Sequence, residues 1–444
     1  MCLRPAIPYK KRGGPEKGKK SLSMKALIER EAELLYEERA AVLAEWESLV
    51  RIESYTEDTE GVGRTAGRLR ETLESLGCTV SVRECPGAGP CVRADWDPAG
   101  TGRAPVLFMG HMDTVFPAGL WKELWKTSPD IHPDLARQEA ADAMPWPPAA
   151  AGVTGEPAPG ISGTAYGPGV CDMKGGIVIG LWVLRLLDRL GLNERPVRFL
   201  FVSDEETGHI NTDNAAYIRE TAAGAACCIN LEPGRMPDGV TIGRKGCTRA
   251  FFTVNGVSAH SGNDFMKGRN ALLAAARLIE EISALTEPAR ELTVSCNIIR
   301  AGDAFNRVPD LCTFEADLRY PDAAGAMRLR DGIEGVLSQR FPDGISASVR
   351  FNENNLPFET TEEVRALAKA VQSCAEEAGL KAPELFRVGG SSDVCYAAAA
   401  GIPCVCSAGV VGAAMHTERE WADIGSIFQR ILLWTEFVRT YGGT

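Results

Sequence analysis

The sequence has no Cys-x-x-Cys pair, only five histidines and no surplus of basic residues, and no apolar run in it is as long as a bilayer is thick. Its fourteen cysteines are scattered, and many, such as Cys227, Cys228, Cys404 and Cys406, stand in apolar runs. A thiol there serves as a small hydrophobe. No secreted disulfide framework follows from that distribution, and a reducing, cytoplasmic setting is expected. Cys171 is the exception to follow, because it neighbours Asp172. A formal net charge of −11 argues against a nucleic-acid partner, which would need a basic face. It leaves room for a local cationic pocket. The longest apolar run, residues 177–190, is too short to span a membrane and ends in charges, so no membrane partner is expected. Residues 1–23 are basic, with Lys10-Lys11-Arg12, and lack the apolar core of a secretory signal. A disordered tail is expected there, with Met24 as a plausible alternative start.

What is present reads as an ordinary globular protein, 45% hydrophobic and 24% charged over 444 residues, long enough for two domains. Residues 25–49 and 60–76 have helical periodicity. Residues 78–84 alternate like a strand, and the apolar run 105–109 suits a buried parallel strand. The stretch 118–163 is rich in Pro, Ala and Gly and has little periodicity, so a long functional or mobile loop is expected. A helix after Gly176, a strand at 197–203, a helix at 213–220 and a strand at 225–231 then alternate, which implies an α/β fold with a mostly parallel sheet. Near Gly243 the pattern changes to alternating strands at 249–254, 292–299, 312–320 and 346–351. Helices at 270–285 and 324–340 separate them, the composition of a small α+β domain inserted into the larger one. The expected division is a catalytic domain at 24–242 and 352–444, interrupted by the insert at 243–351.

The chemistry clusters after strand ends. His111-Met-Asp113 follows the run at 105–110, Glu205-Glu206 follows 197–203, and Glu232 follows 225–231. The turn Gly167-Pro-Gly-Val-Cys-Asp172-Met-Lys-Gly-Gly176 delivers one carboxylate into a helix. In open α/β sheets sites form at the carboxyl ends of strands, and the reading is a metal hydrolase site in which Asp172 could touch two metals. Asp113 can accept from the other imidazole nitrogen of His111 and fix its tautomer. Glu205 and Glu206 diverge, so one can bind a metal while the other faces a bound water.

The order His-x-Asp, Gly-x-x-Asp-Met-Lys-Gly-Gly, Glu-Glu-x-Gly, Glu-Pro and a late His resembles the M20 family of metallopeptidases. It is most similar to the glutamate carboxypeptidase (carboxypeptidase G2-like) branch, and the likeness spans roughly residues 25–442. The resemblance implies a zinc-exopeptidase-like catalytic domain with an inserted dimerisation or lid domain, hence a homodimer. It implies two Zn²⁺ per subunit, with Mn²⁺ or Co²⁺ also compatible with the ligands. His111 and Glu232 would complete one site, Glu206 and His416 the other, with Asp172 bridging. Glu205 would be the general base and Asp113 would orient His111. His260, in Gly256-Val-Ser-Ala-His-Ser-Gly262, would help to stabilise the oxyanion. Asn297, Arg319 and the turn Gly389-Gly390 match substrate-contacting positions, with Arg319 suited to a free α-carboxylate. The implied substrate is a small peptide or an N-acyl amino acid, so carboxypeptidase, deacylase and dipeptidase readings all stand. A binding protein that has lost catalysis is disfavoured because Glu205 and every ligand are present. The stretch between Asp113 and Asp172 is longer than the family leads one to expect, and His209 stands where a small residue is expected.

Overall fold

A computed structural model describes residues 24–135, 162–339 and 341–443. The basic tail, expected to be disordered, and residues 136–161 of the Pro-rich stretch lie outside the described residues. The chain divides into two compact units. One comprises Met1–Ile242, Thr360–Phe386 and Tyr396–Thr444; the other comprises Gly243–Glu359 and Arg387–Cys395.

The first unit is built on strands β1 (Thr79–Arg83), β2 (Cys91–Trp96), β3 (Val106–His111), β4 (Lys126–Ser128), β5 (Thr164–Tyr166), β6 (Val197–Val202) and β7 (Cys227–Asn230). Its main sheet runs β1-β2-β6-β3-β7 and ends on the strand Cys404–Val405. β3 is parallel to both β6 and β7, and Cys404–Val405 is parallel to β7. β1 and β2 form an antiparallel edge. Every residue of β3 and β7 is buried, as continuous apolar strands covered on both faces must be. The helix Gly175–Leu190 packs against the closing helix Ile424–Thr440, whose Trp434 indole donates to the Ala408 carbonyl at 2.9 Å. In chain order β6 lies on one side of β3 and β7 on the other. The strand order therefore reverses at β3, and the carboxyl ends of β3, β6 and β7 open on one crevice.

A second, small antiparallel sheet joins β4, β5 and the strands Trp421–Asp423 and Gly412–Ala413. The stretch 118–163 is thus not one loop, because it contains β4. Three residues are too few for alternation to register. Residues 25–49 likewise form two helices, Met24–Glu37 and Arg39–Val50. Glu38, at φ −93° and ψ 7°, turns the chain between them with no glycine or proline to announce it.

The second unit is a four-stranded antiparallel sheet in the order Thr293–Ala301, Leu311–Tyr320, Gly246–Asn255, Ser346–Asn355. The helices Ala271–Ser283 and Ala323–Leu337 pack against it. Residues alternate in and out along Leu311–Tyr320, and Phe252 stacks on Phe314 with centroids 4.3 Å apart. The expected boundary at 351 moves outward. Pairing continues to Asn355 opposite Cys247, the first unit resumes at Thr360, and residues 387–395 return to the second. The apolar alternation in the sequence ends at Phe351, while backbone pairing runs on along this edge of the sheet.

Candidate metal centre

His111 ends β3, and its Nε2 lies 3.1 Å from Asp172 Oδ1. The other ring nitrogen, Nδ1, lies 3.0 Å from the Asp113 carbonyl oxygen and 3.3 Å from its carboxylate. A proton on Nδ1 satisfies those acceptors, and Nε2, which holds a second proton against Asp172 here, is the nitrogen from which a cation would displace it. Asp172 Oδ2 lies 3.3 Å from His416 Nε2, and that nitrogen lies 3.2 Å from Glu206 Oε2. Glu206, His416, Asp172 and His111 therefore form one unbroken run of donor atoms. Glu232, just past β7, joins through His111 and Glu205. One ligand atom each of His111, Glu205 and Glu232 all lie within 4.8 Å of one another, as do those of His111, Asp172 and Glu206.

The turn Val170–Lys174 explains its own sequence. Gly169 takes a φ of 70°, a conformation that L side chains resist. Met173 packs over Gly110, and its Sδ accepts from the His111 N–H at 3.2 Å. Lys174 is buried, and its Nζ donates to the Ile52 carbonyl at 2.6 Å. A side-chain carbon on Gly176 would fall on the Leu231 carbonyl oxygen, so only glycine lets this helix start against the strand end that carries Glu232.

Asp113 does more than face His111. Its carboxylate accepts from the backbone N–H of Glu205 at 3.3 Å and of Glu206 at 3.2 Å, and from Thr56 Oγ1 at 2.7 Å. It thereby ties the glutamate turn to the end of β3. Glu420, also buried, accepts from the backbone N–H groups of Gly169, Cys171 and Asp172.

The electrostatics are those of carboxylates crowded around two imidazoles. Burial alone would lower His111, but its hydrogen bonds with Asp113 and Asp172 outweigh that and hold it well above its ordinary range. Hydrogen bonds to Asp172 and Glu206 raise His416 to about 10. Burial would raise Asp172, but the two imidazoles prevail and hold it low. Burial and the Asp172 charge leave Glu206 raised. Burial also pushes Lys174 down to about 7 and, with Asp172 nearby, Glu420 up to about 8.

The remaining site candidates belong to the second unit. His260 is exposed, and its Nδ1 accepts from the N–H groups of Gly262 and Asn263, each at 3.1 Å. Its proton therefore sits on Nε2, which leaves that nitrogen as a donor. Asn297 is exposed at a bulge in Thr293–Ala301 and accepts from Ser295 Oγ at 2.6 Å. Arg319 forms a fork with Asp317, at 2.7 and 3.0 Å, and reaches the Gly389 carbonyl at 3.4 Å. Arg244, which the sequence reading passed over, donates to the Gly390 carbonyl at 3.1 Å.

The other histidines have structural partners. His132 stacks on Trp421 at 4.0 Å, and His209 is buried with its Nδ1 2.7 Å from Asp204. Thr56, Lys174 and Glu420 are the residues around the cluster that sequence reading missed. Of these, only Lys174, inside the glycine-rich turn, stood next to a recognisable signal.

The sequence profile of peptidase family M20/M25/M40 matches residues 140–440. The chain is 28% identical over 412 residues to carboxypeptidase G2 of Pseudomonas sp. (strain RS-16), covering 91% of this chain and 90% of that one. It is 30% identical over 339 residues to succinyl-diaminopimelate desuccinylase of Stenotrophomonas maltophilia (strain R551-3), covering 72% and 80%. The crystal structure of aminopeptidase PepT from Bacillus cereus ATCC 10987 superposes with a TM-score of 0.69 at 20% identity, over 90% of this chain and 98% of that one. A profile match over most of the chain, a shared fold and a convergent set of imidazoles and carboxylates agree: the chain belongs to peptidase family M20/M25/M40 and is a metal-dependent hydrolase of amide bonds.

Proposed function

We propose that the protein is a dinuclear metallocarboxypeptidase that cleaves an amide bond next to a free carboxylate. The observation that carries this reading is the run Glu206–His416–Asp172–His111, with successive contacts of 3.2, 3.3 and 3.1 Å. Four carboxylates, Asp172, Glu205, Glu206 and Glu232, share this crevice with two imidazoles, a donor set that divalent cations would balance. Mixed nitrogen and oxygen donors suit Zn²⁺, and Mn²⁺ or Co²⁺ fit the same set. His111 and Glu232 would hold one ion, Glu206 and His416 the other, and Asp172 both.

When bound, two such cations polarise the scissile carbonyl and make the attacking water more acidic. Glu205 takes the proton of that water and passes it to the leaving amine. Asp113 keeps the His111 proton on Nδ1 and holds the Glu205–Glu206 turn in place. In the second unit, the His260 Nε2–H is a donor suited to a developing oxyanion. Arg319 supplies a planar fork for the substrate's carboxylate, which would exchange with Asp317. Asn297, Gly389 and Gly390 would line the same substrate.

Deacylation of an N-acyl amino acid is the second reading, favoured by the 30% identity to a desuccinylase. Exposed Phe265, Met266 and Phe305 in the second unit support a homodimer formed through that unit. The cysteines of the described residues are free thiols, which supports a cytoplasmic setting. Among the described residues no helix is long and apolar enough to cross a membrane.

The test is hydrolysis of a panel of dipeptides and N-acyl amino acids by the Zn²⁺-reconstituted protein, each substrate paired with its carboxyl-amidated analogue. Cleavage restricted to free carboxylates is expected. Equal turnover of the amides would refute carboxypeptidase action, and preference for N-acyl over peptidyl substrates would select the second reading.

A further inference from the structure

We infer that Glu420 is a positioning residue, a buried strut that fixes Asp172 relative to His416 and so sets the strength of the metal position those two share. The inference rests on the dinuclear reading above and concerns a residue outside the ligand set.

Glu420 is fully buried, and both of its oxygens are engaged by one short stretch of backbone. Oε1 accepts from the N–H of Cys171 at 2.8 Å and of Asp172 at 2.9 Å, and Oε2 accepts from the N–H of Gly169 at 3.1 Å. Gly169 is left-handed, while Asp172 and Met173 leave helical angles, at φ −111°, ψ 93° and φ −132°, ψ 36°. Neighbouring N–H groups in such a turn converge on a concavity that favours an anion. Here the acceptor filling it is a side chain of the protein itself.

The other end of the strut is equally fixed. Trp421, the next residue, pairs with Tyr166 in the small sheet. Four residues earlier stands His416, at φ 62°, inside a loop closed by Thr417 N–H to the Ala414 carbonyl at 3.2 Å and Glu420 N–H to the Thr417 carbonyl at 3.1 Å. One segment thus presents His416 and grips the backbone that presents Asp172. The spacing of Asp172 from His111 has a separate tether, the Met173 Sδ contact to the His111 N–H. Loss of the Glu420 carboxylate would leave three buried N–H groups without their acceptor. It would loosen Asp172 from His416 while the Met173 tether persists.

Glutamine at 420 keeps the volume but turns an NH₂ toward N–H donors, and aspartate is one methylene short. The experiment titrates metal-free parent, Glu420→Gln and Glu420→Asp with Zn²⁺ against a competing chelator. Co²⁺ absorption serves as a readout of ligand geometry, and each metal-free protein is first checked by circular dichroism and thermal melting. The parent is expected to take two ions per chain. In the variants one step should weaken about 10- to 100-fold, the usual cost of losing a residue that orients a metal ligand. The other step should stay within a few-fold, and the Co²⁺ spectrum should change. Unchanged titrations in both variants overturn the inference. So does equal weakening of both steps in parallel with a lowered melting temperature, or failure of both variants to fold, since either makes the role one of general stability. A parent that takes fewer than two ions defeats the dinuclear reading itself, and this inference with it, however the variants behave.

Discussion

In the first unit, the side chains of His111, Glu206 and Asp172 are 1%, 6% and 12% exposed, and their donor atoms face one another. In the second, His260 and Asn297 are exposed, and Arg319 is satisfied by its neighbour Asp317. The first arrangement is complete within its own fold, its carboxylates held against two imidazoles. The second consists of groups content with local partners, and each must give something up or meet something new to act. Metal affinity should therefore depend on the first unit alone, and substrate handling on both.

The largest effect should come from the glutamate pair, where the two neighbours ought to separate cleanly. Glu205→Gln is expected to retain both ions and to lose about 10²- to 10⁴-fold in kcat and kcat/KM together, as a missing general base does. Glu206→Gln is expected to lose metal and to regain activity partly in excess Zn²⁺. Elemental analysis beside turnover decides it, and the reverse pattern would exchange the two roles, which the proximity of Glu205 to His111 and Glu232 makes worth testing.

His260→Ala follows, with a loss of about 10²- to 10³-fold in kcat, the range for a single oxyanion donor. Its metal content should equal that of the parent. A variant that lost metal would break the division between the units. Arg319→Ala is expected to raise KM about 10- to 100-fold, the worth of a charged hydrogen bond, and only for substrates with a free carboxylate. Arg319→Lys should recover part of this, because a point charge replaces the fork.

The smallest effect lies away from both sites. Glu31 is fully buried against Glu436, and burial, with the Glu436 charge added, pushes it up to about 10. The folded state therefore keeps a proton on Glu31 that the unfolded chain releases above about 4.5. Stability from this group is full below that pH and is lost as pH rises toward 10. Glu31→Gln, which is uncharged at every pH, should gain on the order of 1 kcal/mol at pH 8 and almost nothing at pH 4. Melting curves at both pH values test the sign.

The sequence made His111, Glu205, Glu206 and Glu232 legible because each stands just past an apolar strand, where burial pattern and chemistry coincide, whereas Asp172 showed through its glycine-rich turn and His416 only through the family resemblance. It made the second unit legible because strands such as Leu311–Tyr320 alternate strictly. It hid whatever depends on contacts distant in the chain. Glu420 reads as one more charge in Thr417-Glu-Arg-Glu420, and nothing local announces the turn it grips far upstream. The cysteines show the same blindness. Cys171, the one singled out, is buried and its thiol is pushed well above its ordinary range by burial and the nearby Glu420 and Asp172. Cys85 and Cys91 passed unremarked, yet their sulfurs lie 3.5 Å apart, and the Cys91 hydrogen bond draws Cys85 down to about 6.

The division of the first unit has a consequence for the making of the protein. On the ribosome, β3, β6 and β7 emerge with His111, Asp172, Glu205, Glu206 and Glu232, and then synthesis moves on to the whole of the second unit before His416 appears. Domains tend to fold as they emerge, so the inserted unit can finish folding while the first is still without Cys404–Val405, the last strand of its sheet. A nascent or truncated chain that ends before residue 404 would hold five of the crowded acidic and imidazole groups with neither that strand nor His416. The centre is therefore completed only after the whole of the second unit has been made, which places its assembly behind the synthesis of the insert.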